Sequence, residues 1–139
     1  MTKDEELSKY MALIDYYKEQ LNALEMQFSY VQAAIADYTK AKMTVEKLNN
    51  AEKDTEILLP IGGSTFIDAK AKDPSKVLFD IGSGIVTEKT AEDAITKIDK
   101  RIEDLQQTQE KLSSMIQQMQ ADATEVSNKA QQLFSDQKQ

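Results

Sequence analysis

The sequence predicts a mainly α fold with a small β region: a long antiparallel two-helix coiled coil joined by two tandem β-hairpins that complete a barrel with other subunits. Apolar residues recur at alternating steps of three and four in each half of the chain, the spacing of a left-handed coiled-coil seam. The two seams are similar in length, so a connector that returns the chain to its origin lets them pair antiparallel. Between them lies ILLPIGGSTFIDAKAKDPSKVLFDIGSGIVTEK, Ile57 to Lys89, where alternation by two is punctuated by glycine and proline as in strands and turns.

The first seam reads Leu7, Tyr10, Ile14, Tyr17, Leu21, Leu24, Phe28, Val31, Ile35, Tyr38, Lys42, Val45. Thr2 and Glu5 have the spacing of a capping box at its start, and Asn49-Asn50 ends the pattern. The second seam reads Ala91, Ile95, Ile98, Ile102, Leu105, Gln109, Leu112, Ile116, Met119, Ala123, Val126, Ala130, Leu133. Thr90 is its natural N-cap, and Glu92 and Asp93 fall in the first turn, where the helix dipole favours negative charge. Position i of the first helix is expected to face a residue near roughly 140 minus i of the second. Tyr38 then lies near Ile102 and Lys42 opposite Ile98. Lys42 and Gln109 each interrupt a seam with a polar group, which costs stability and helps to fix register.

Within the connector, Glu56 to Ile61 is a short apolar run that Pro60 confines to an edge or a bulge, because proline donates no ladder hydrogen bond. Gly62-Gly63 reads as a turn. Phe66 to Lys72 alternates, with Ile67, Ala69 and Ala71 on one side, and Asp73-Pro74-Ser75-Lys76 places proline where a type I turn takes it. Val77 to Ile81, a Gly82-Ser83-Gly84 turn and Ile85 to Lys89 make the second hairpin. Both glycine clusters lead into strands and not into a helix N-terminus, so they predict turns and not phosphate loops. Two such hairpins cannot close a core of their own, and open sheet edges are templates for pairing. Ile57, Leu59, Ile61, Phe66, Ile67, Val77, Phe79, Ile81, Ile85 and Val86 are therefore the expected subunit-assembly residues.

Composition narrows the function. The net charge of −7 and a pI near 4.7 argue against nucleic acid or an anionic membrane surface, both of which need a basic face; Lys40, Lys42 and Lys47 read as a solvated helix face. Cysteine and histidine are absent, which removes the thiolate nucleophile, the commonest general base and the usual transition-metal ligands. The expectation is no enzyme, no metal and no cofactor. MTKDEELSKY is charged where a signal peptide needs an apolar run, and no membrane-length apolar stretch follows, so a cytoplasmic protein is expected.

At the helix ends away from the connector, Leu7, Tyr10, Met11 and Ile14 come beside Val126, Ala130, Leu133 and Phe134. Met11 and Phe134 lie off the seam, and helix ends fray because their terminal backbone groups lack intrahelical partners. These eight residues make that end of the pair apolar, whereas a structural coiled-coil spacer or filament component should end in polar residues.

A long helix, then Leu59-Pro60-Ile61-Gly62-Gly63, Phe66-Ile67 and Gly82-Ser83-Gly84-Ile85-Val86-Thr87-Glu88-Lys89, then AEDAITKIDKRIEDL opening a second helix, together resemble the prefoldin family, and most closely its archaeal alpha class. The resemblance spans 1–139 as a single domain, with the first helix in 1–50, the hairpins in 55–89 and the second helix in 90–136. It implies an ATP-independent chaperone in which two alpha and four beta subunits share a double β-barrel. The coiled coils that hang from it capture unfolded polypeptide at their ends and pass it to a group II chaperonin, which makes Leu7, Tyr10, Met11, Ile14, Val126, Ala130, Leu133 and Phe134 the expected client-binding residues for non-native polypeptides. The competing reading is a structural coiled-coil spacer or filament component with no client binding. Two hairpins, where beta subunits have one, mark the alpha class.

Overall fold

The computed structural model describes residues 2–137; Met1, Lys138 and Gln139, included in the expected 1–139 span, lie outside the described residues. The elements are α1 (Lys3–Asn49), β1 (Thr55–Gly62), β2 (Thr65–Ala71), β3 (Lys76–Gly82), β4 (Ile85–Thr90) and α2 (Ala91–Gln137). Two long helices thus bracket two antiparallel hairpins, β1–β2 and β3–β4, as the change of period predicts.

Both helices start where their caps place them. The Thr2 hydroxyl accepts from the Glu5 amide at 3.2 Å while the Glu5 carboxylate accepts from the Thr2 amide at 3.3 Å, the reciprocal capping box. Thr90 Oγ1 accepts from the Asp93 amide at 3.1 Å, and the Ser75 carbonyl takes the first amide of α2, that of Ala91, at 2.7 Å. Every residue named for the two seams is buried or half-buried. Steps of three and four keep one stripe of each helix turned to its partner.

The chain forms two compact units. One comprises Met1–Ala34 with Leu105–Gln139, and its most buried side chains are Leu24, Leu112 and Ala130. The other is Ile35–Asp104, where Ala91, Ala94 and Ile98 are buried. In this second unit Tyr38 meets Arg101 and Lys42 meets Asp99: the numbers rise on α1 and fall on α2, so the helices are antiparallel, in the expected register to within a residue. Lys42 is half-buried and its ammonium lies 2.7 Å from the Asp99 carboxylate. It is an interhelical bridge, which corrects its assignment to a solvated basic face.

Each hairpin carries a bulge followed by a two-residue turn. In β1–β2 the pairing runs from Thr55↔Ala71 to Pro60↔Phe66 and then slips to Gly62↔Thr65, leaving Ile61 as the extra residue. In β3–β4 it slips in the same way between Asp80↔Val86 and Gly82↔Ile85, around Ile81. The bulge moves the first expected turn by one residue, to Gly63-Ser64 at φ 56° and 58°, and narrows the second from Gly82-Ser83-Gly84 to Ser83-Gly84, at 53° and 76°. Two successive positive φ values define the type I′ geometry whose twist matches the flanking strands. Gly62 and Gly82, at φ 100° and 127°, take the bulge conformations that a side chain would strain. The two hairpins are therefore copies of one device, with each pair of the second matched twenty residues back in the first.

Candidate functional site

No helix among the described residues is long and apolar enough to cross a membrane. The residues expected from the sequence to bind or assemble lie on two apolar surfaces.

The first lies in the unit that joins Met1–Ala34 to Leu105–Gln139. Leu7, Met11 and Ile14 of α1 and Ser127, Ala130, Gln131, Phe134 and Ser135 of α2 line one groove. The seam positions Leu7, Ile14 and Ala130 form its floor, half-buried or buried. Met11 and Phe134, one step off the seam, are its rims and are 54% and 50% exposed. Of the eight residues expected to bind clients, five line this groove; Tyr10, Val126 and Leu133 are half-buried in the neighbouring seam. The groove is apolar, shallow and bordered by uncharged serines and a glutamine. That suits van der Waals contact with varied side chains, and methionine adapts well to varied partners.

The second surface lies on the hairpins. Leu59, Ile61, Phe66, Ile67, Ile81, Ile85 and Val86 are all exposed, whereas Ile57, Val77 and Phe79, nearer the helices, are half-buried against their own chain. So many exposed β-branched and aromatic side chains on two small sheets make a surface far more apolar than an isolated chain tolerates in water. Two contributors escaped the alternation reading. Leu58 and Leu78, paired across their strands with Asp68 and Glu88, lie on the face opposite Leu59 and Phe79, the one that Phe66 and Val86 share, and Leu78 is 76% exposed. The runs ILLPI and KVLFDI carry that signal, since consecutive apolar residues put greasy side chains on both faces of a strand.

Polar contacts hold the hairpins to the helical base. Arg101 donates from Nη1 to the Tyr38 hydroxyl and from Nη2 to the Asp80 carbonyl, each at 3.1 Å. Its guanidinium sits 4.6 Å from the centre of the Phe79 ring. One side chain thereby joins α1, α2 and β3. Of the 17 basic residues it is the sole arginine, a signal available in the sequence, because a planar fork with several donors suits such a junction and an ammonium does not. In the link between the hairpins, the Ser75 hydroxyl and amide both donate to Asp73 Oδ1, at 2.6 and 3.1 Å. The hydroxyl first and the amide second hold the Asp73 carboxyl below its ordinary range. The same type I turn closes with the Lys76 amide on the Asp73 carbonyl at 3.1 Å.

Comparison with known proteins agrees with this architecture. The Prefoldin family model, described as prefoldin subunit, matches residues 17–136. The prefoldin subunit alpha of Archaeoglobus fulgidus is 29% identical over 126 residues, covering 91% of this chain and 92% of that protein. The prefoldin subunit alpha of Methanosarcina mazei is 30% identical over 132 residues, covering 93% and 88%. Among solved structures, a filamentous PFD from Methanocaldococcus jannaschii superimposes with a TM-score of 0.72 at 22% identity, covering 83% of this chain and 95% of that one. The prefoldin beta subunit from Thermococcus strain KS-1 gives a TM-score of 0.60 at 14% identity, covering 91% and 90%; at these identities the likeness is one of fold. With the family model spanning most of the chain and archaeal alpha subunits aligned along nearly all of it, the chain belongs to the prefoldin family.

Proposed function

We propose that this chain is a subunit of a hetero-oligomeric, ATP-independent molecular chaperone. Its hairpins join it to prefoldin beta subunits, two alpha with four beta, in the cytoplasm. Its helical pair captures unfolded polypeptide in the groove of Leu7, Met11, Ile14, Ala130 and Phe134, for delivery to a group II chaperonin. The observation that carries this reading is the groove itself: an apolar floor with two large, half-exposed rims, where a spacer would end in polar side chains. One such groove binds weakly. Several of them on a common base, gripping one extended client, gain affinity through effective concentration.

The test uses the chain reconstituted with a beta-type partner whose own helix ends are truncated, in an aggregation assay with a denatured client. Deleting Met1 to Leu13 together with Ser127 to Gln139 should preserve the heteromer and remove most of the remaining aggregation suppression. Substituting Tyr10, Met11, Leu133 and Phe134 by Ser should act in the same direction with less loss of helix. Undiminished suppression by these complexes would favour the spacer reading.

A further inference from the structure

The outer face of α1 carries a second heptad row that lies off the interhelical seam, where Tyr16 meets the neighbouring ring of Tyr17 at 5.7 Å between centres. Ala12, Tyr16, Glu19, Ala23, Met26, Tyr30 and Ala33 follow steps of four and three, on the side of the helix away from the seam. All are exposed, Met26 by 61% and Tyr30 by 73%. Met26, Tyr30 and Ala33, with Asn22, Glu25 and Ser29, line a shallow groove. Charge is withdrawn from the same stretch: between Gln20 and Ala36 the only charged residue is Glu25, in a chain that is 29% charged. The matching outer row of α2 is exposed throughout and carries five charged residues, Lys97, Lys100, Asp104, Lys111 and Glu125, with Gln107, Ser114, Gln118 and Ala121 between them and no large apolar side chain.

The row's geometry selects its occupant. Layers repeat about every 5 Å along α1, from 3.5 residues at a rise of ~1.5 Å each. A second helix presents side chains at the same repeat, whereas an extended strand places one on a given face every ~6.8 Å and falls out of step. Alanines at 12, 23 and 33 let a helix approach closely, and Tyr16, Met26 and Tyr30 supply the knobs. Area then excludes a stable pairing of copies. A row of this length, roughly 33 Å by 10 Å, gives about 300 Å² per partner, well short of the ~800 Å² per partner of a lasting protein interface. A transient occupant fits, and with Glu19 as the row's single charge little charged match is asked of it. We propose that the outer row of α1 is a side-on binding site for short amphipathic helical segments of non-native polypeptides, separate from the groove of Met11 and Phe134. This rests on the chaperone reading above.

The experiment uses the full heteromer with a beta-type partner, carrying benzoylphenylalanine at position 30. The probes are a synthetic amphipathic peptide with leucine at heptad spacing and a scrambled peptide of the same composition. Light-induced crosslinking to the heptad peptide, little to the scrambled one, and no weakening on adding salt are expected. In peptide titration, Met26→Glu with Tyr30→Glu should weaken the heptad peptide roughly tenfold or more, the loss of two large apolar contacts. In the Met11→Ser, Phe134→Ser pair the crosslink from position 30 to the heptad peptide should persist, whatever that groove contributes to total binding. Met26→Gln with Tyr30→Gln, which adds no charge, should reproduce the loss in a heteromer whose size and helicity are unchanged. Equal binding of both peptides, unchanged affinity in the Gln pair, or crosslinks only to a second copy of this chain would each overturn the proposal. Those outcomes leave the chaperone reading standing if the aggregation assay still responds to the Met11 and Phe134 substitutions. If it does not respond while the row variants lose the peptide, the groove assignment falls and the row survives.

Discussion

Arg101 shows how much of this fold hangs on single side chains. Its two hydrogen bonds and its stacking on Phe79 join segments that are distant in sequence, and removing them leaves the Asp80 carbonyl and the Tyr38 hydroxyl to find water. Arg101→Met is expected to cost about 1–3 kcal/mol and to raise amide exchange in β3–β4 more than in β1–β2, as measured by thermal unfolding and hydrogen exchange. Arg101→Lys keeps the charge without the planar fork and should fall between. Lys42 acts differently. Its hydrogen bond to Asp99 holds its pKa above the ordinary 10.5. A lysine whose folded pKa is raised contributes stability in full below its unfolded value, and that contribution is lost as pH rises through the folded one. The unfolding temperature of the wild type relative to Lys42→Met should therefore be level around neutrality and move against the wild type above about pH 10.5. A difference that already drifts between about pH 6 and 8 would point to another titrating group.

The helices and hairpins are the level at which the sequence speaks most plainly. Burial repeats with the helical period, so Leu7 to Val45 and Ala91 to Leu133 could be assigned to seams from spacing alone, and every one of them is at least half-buried. The turn glycines disclosed the hairpins, because few other residues accept the φ values of Gly62, Gly63, Gly82 and Gly84. Less legible were features set by where an element docks. The position of each turn depends on a bulge, which adds one residue without changing the alternation on either side. Phe79 reads like Leu59 in sequence, yet it is half-buried where Leu59 is exposed, because Arg101, twenty-two residues further on, covers its ring. That docking decides which substitution tests assembly cleanly. Phe79→Asp would disturb the chain's own base, whereas Leu78 touches little of its own chain. Leu78→Asp is expected to leave helicity and thermal unfolding of the helical pair nearly unchanged and to abolish the complex with a beta-type partner in size-exclusion chromatography of the co-expressed pair. A heteromer of wild-type size would show that this face of β3 is not part of the joint.

For the molecule as a whole, on the function proposed above, a helical pair with an apolar groove and two apolar hairpins serve one chain together. The exposed strands need partners, and the grooves gain strength only when several are held together. The twenty-residue match between β1–β2 and β3–β4 also raises a problem of fidelity. Two plugs of the same backbone shape accept the same socket, so a partner's edge that fits one also fits the other, and backbone hydrogen bonding cannot tell them apart. Discrimination has to come from side chains: over 57–70 and 77–90 the copies share only Leu58/Leu78, Ile61/Ile81 and Gly62/Gly82, and among the contrasts are Pro60 against Asp80, Phe66 against Val86, Ile67 against Thr87 and Ala69 against Lys89. Each sets a ring or an aliphatic side chain against a charge or a smaller group, so a misplaced plug buries a charge or leaves a hole. A chain in which residues 77–90 are replaced by a copy of 57–70 should still fold its hairpins and still bind a beta-type partner. Native mass spectrometry should then find a spread of subunit ratios in place of one, the mark of parts that fit together in more than one order.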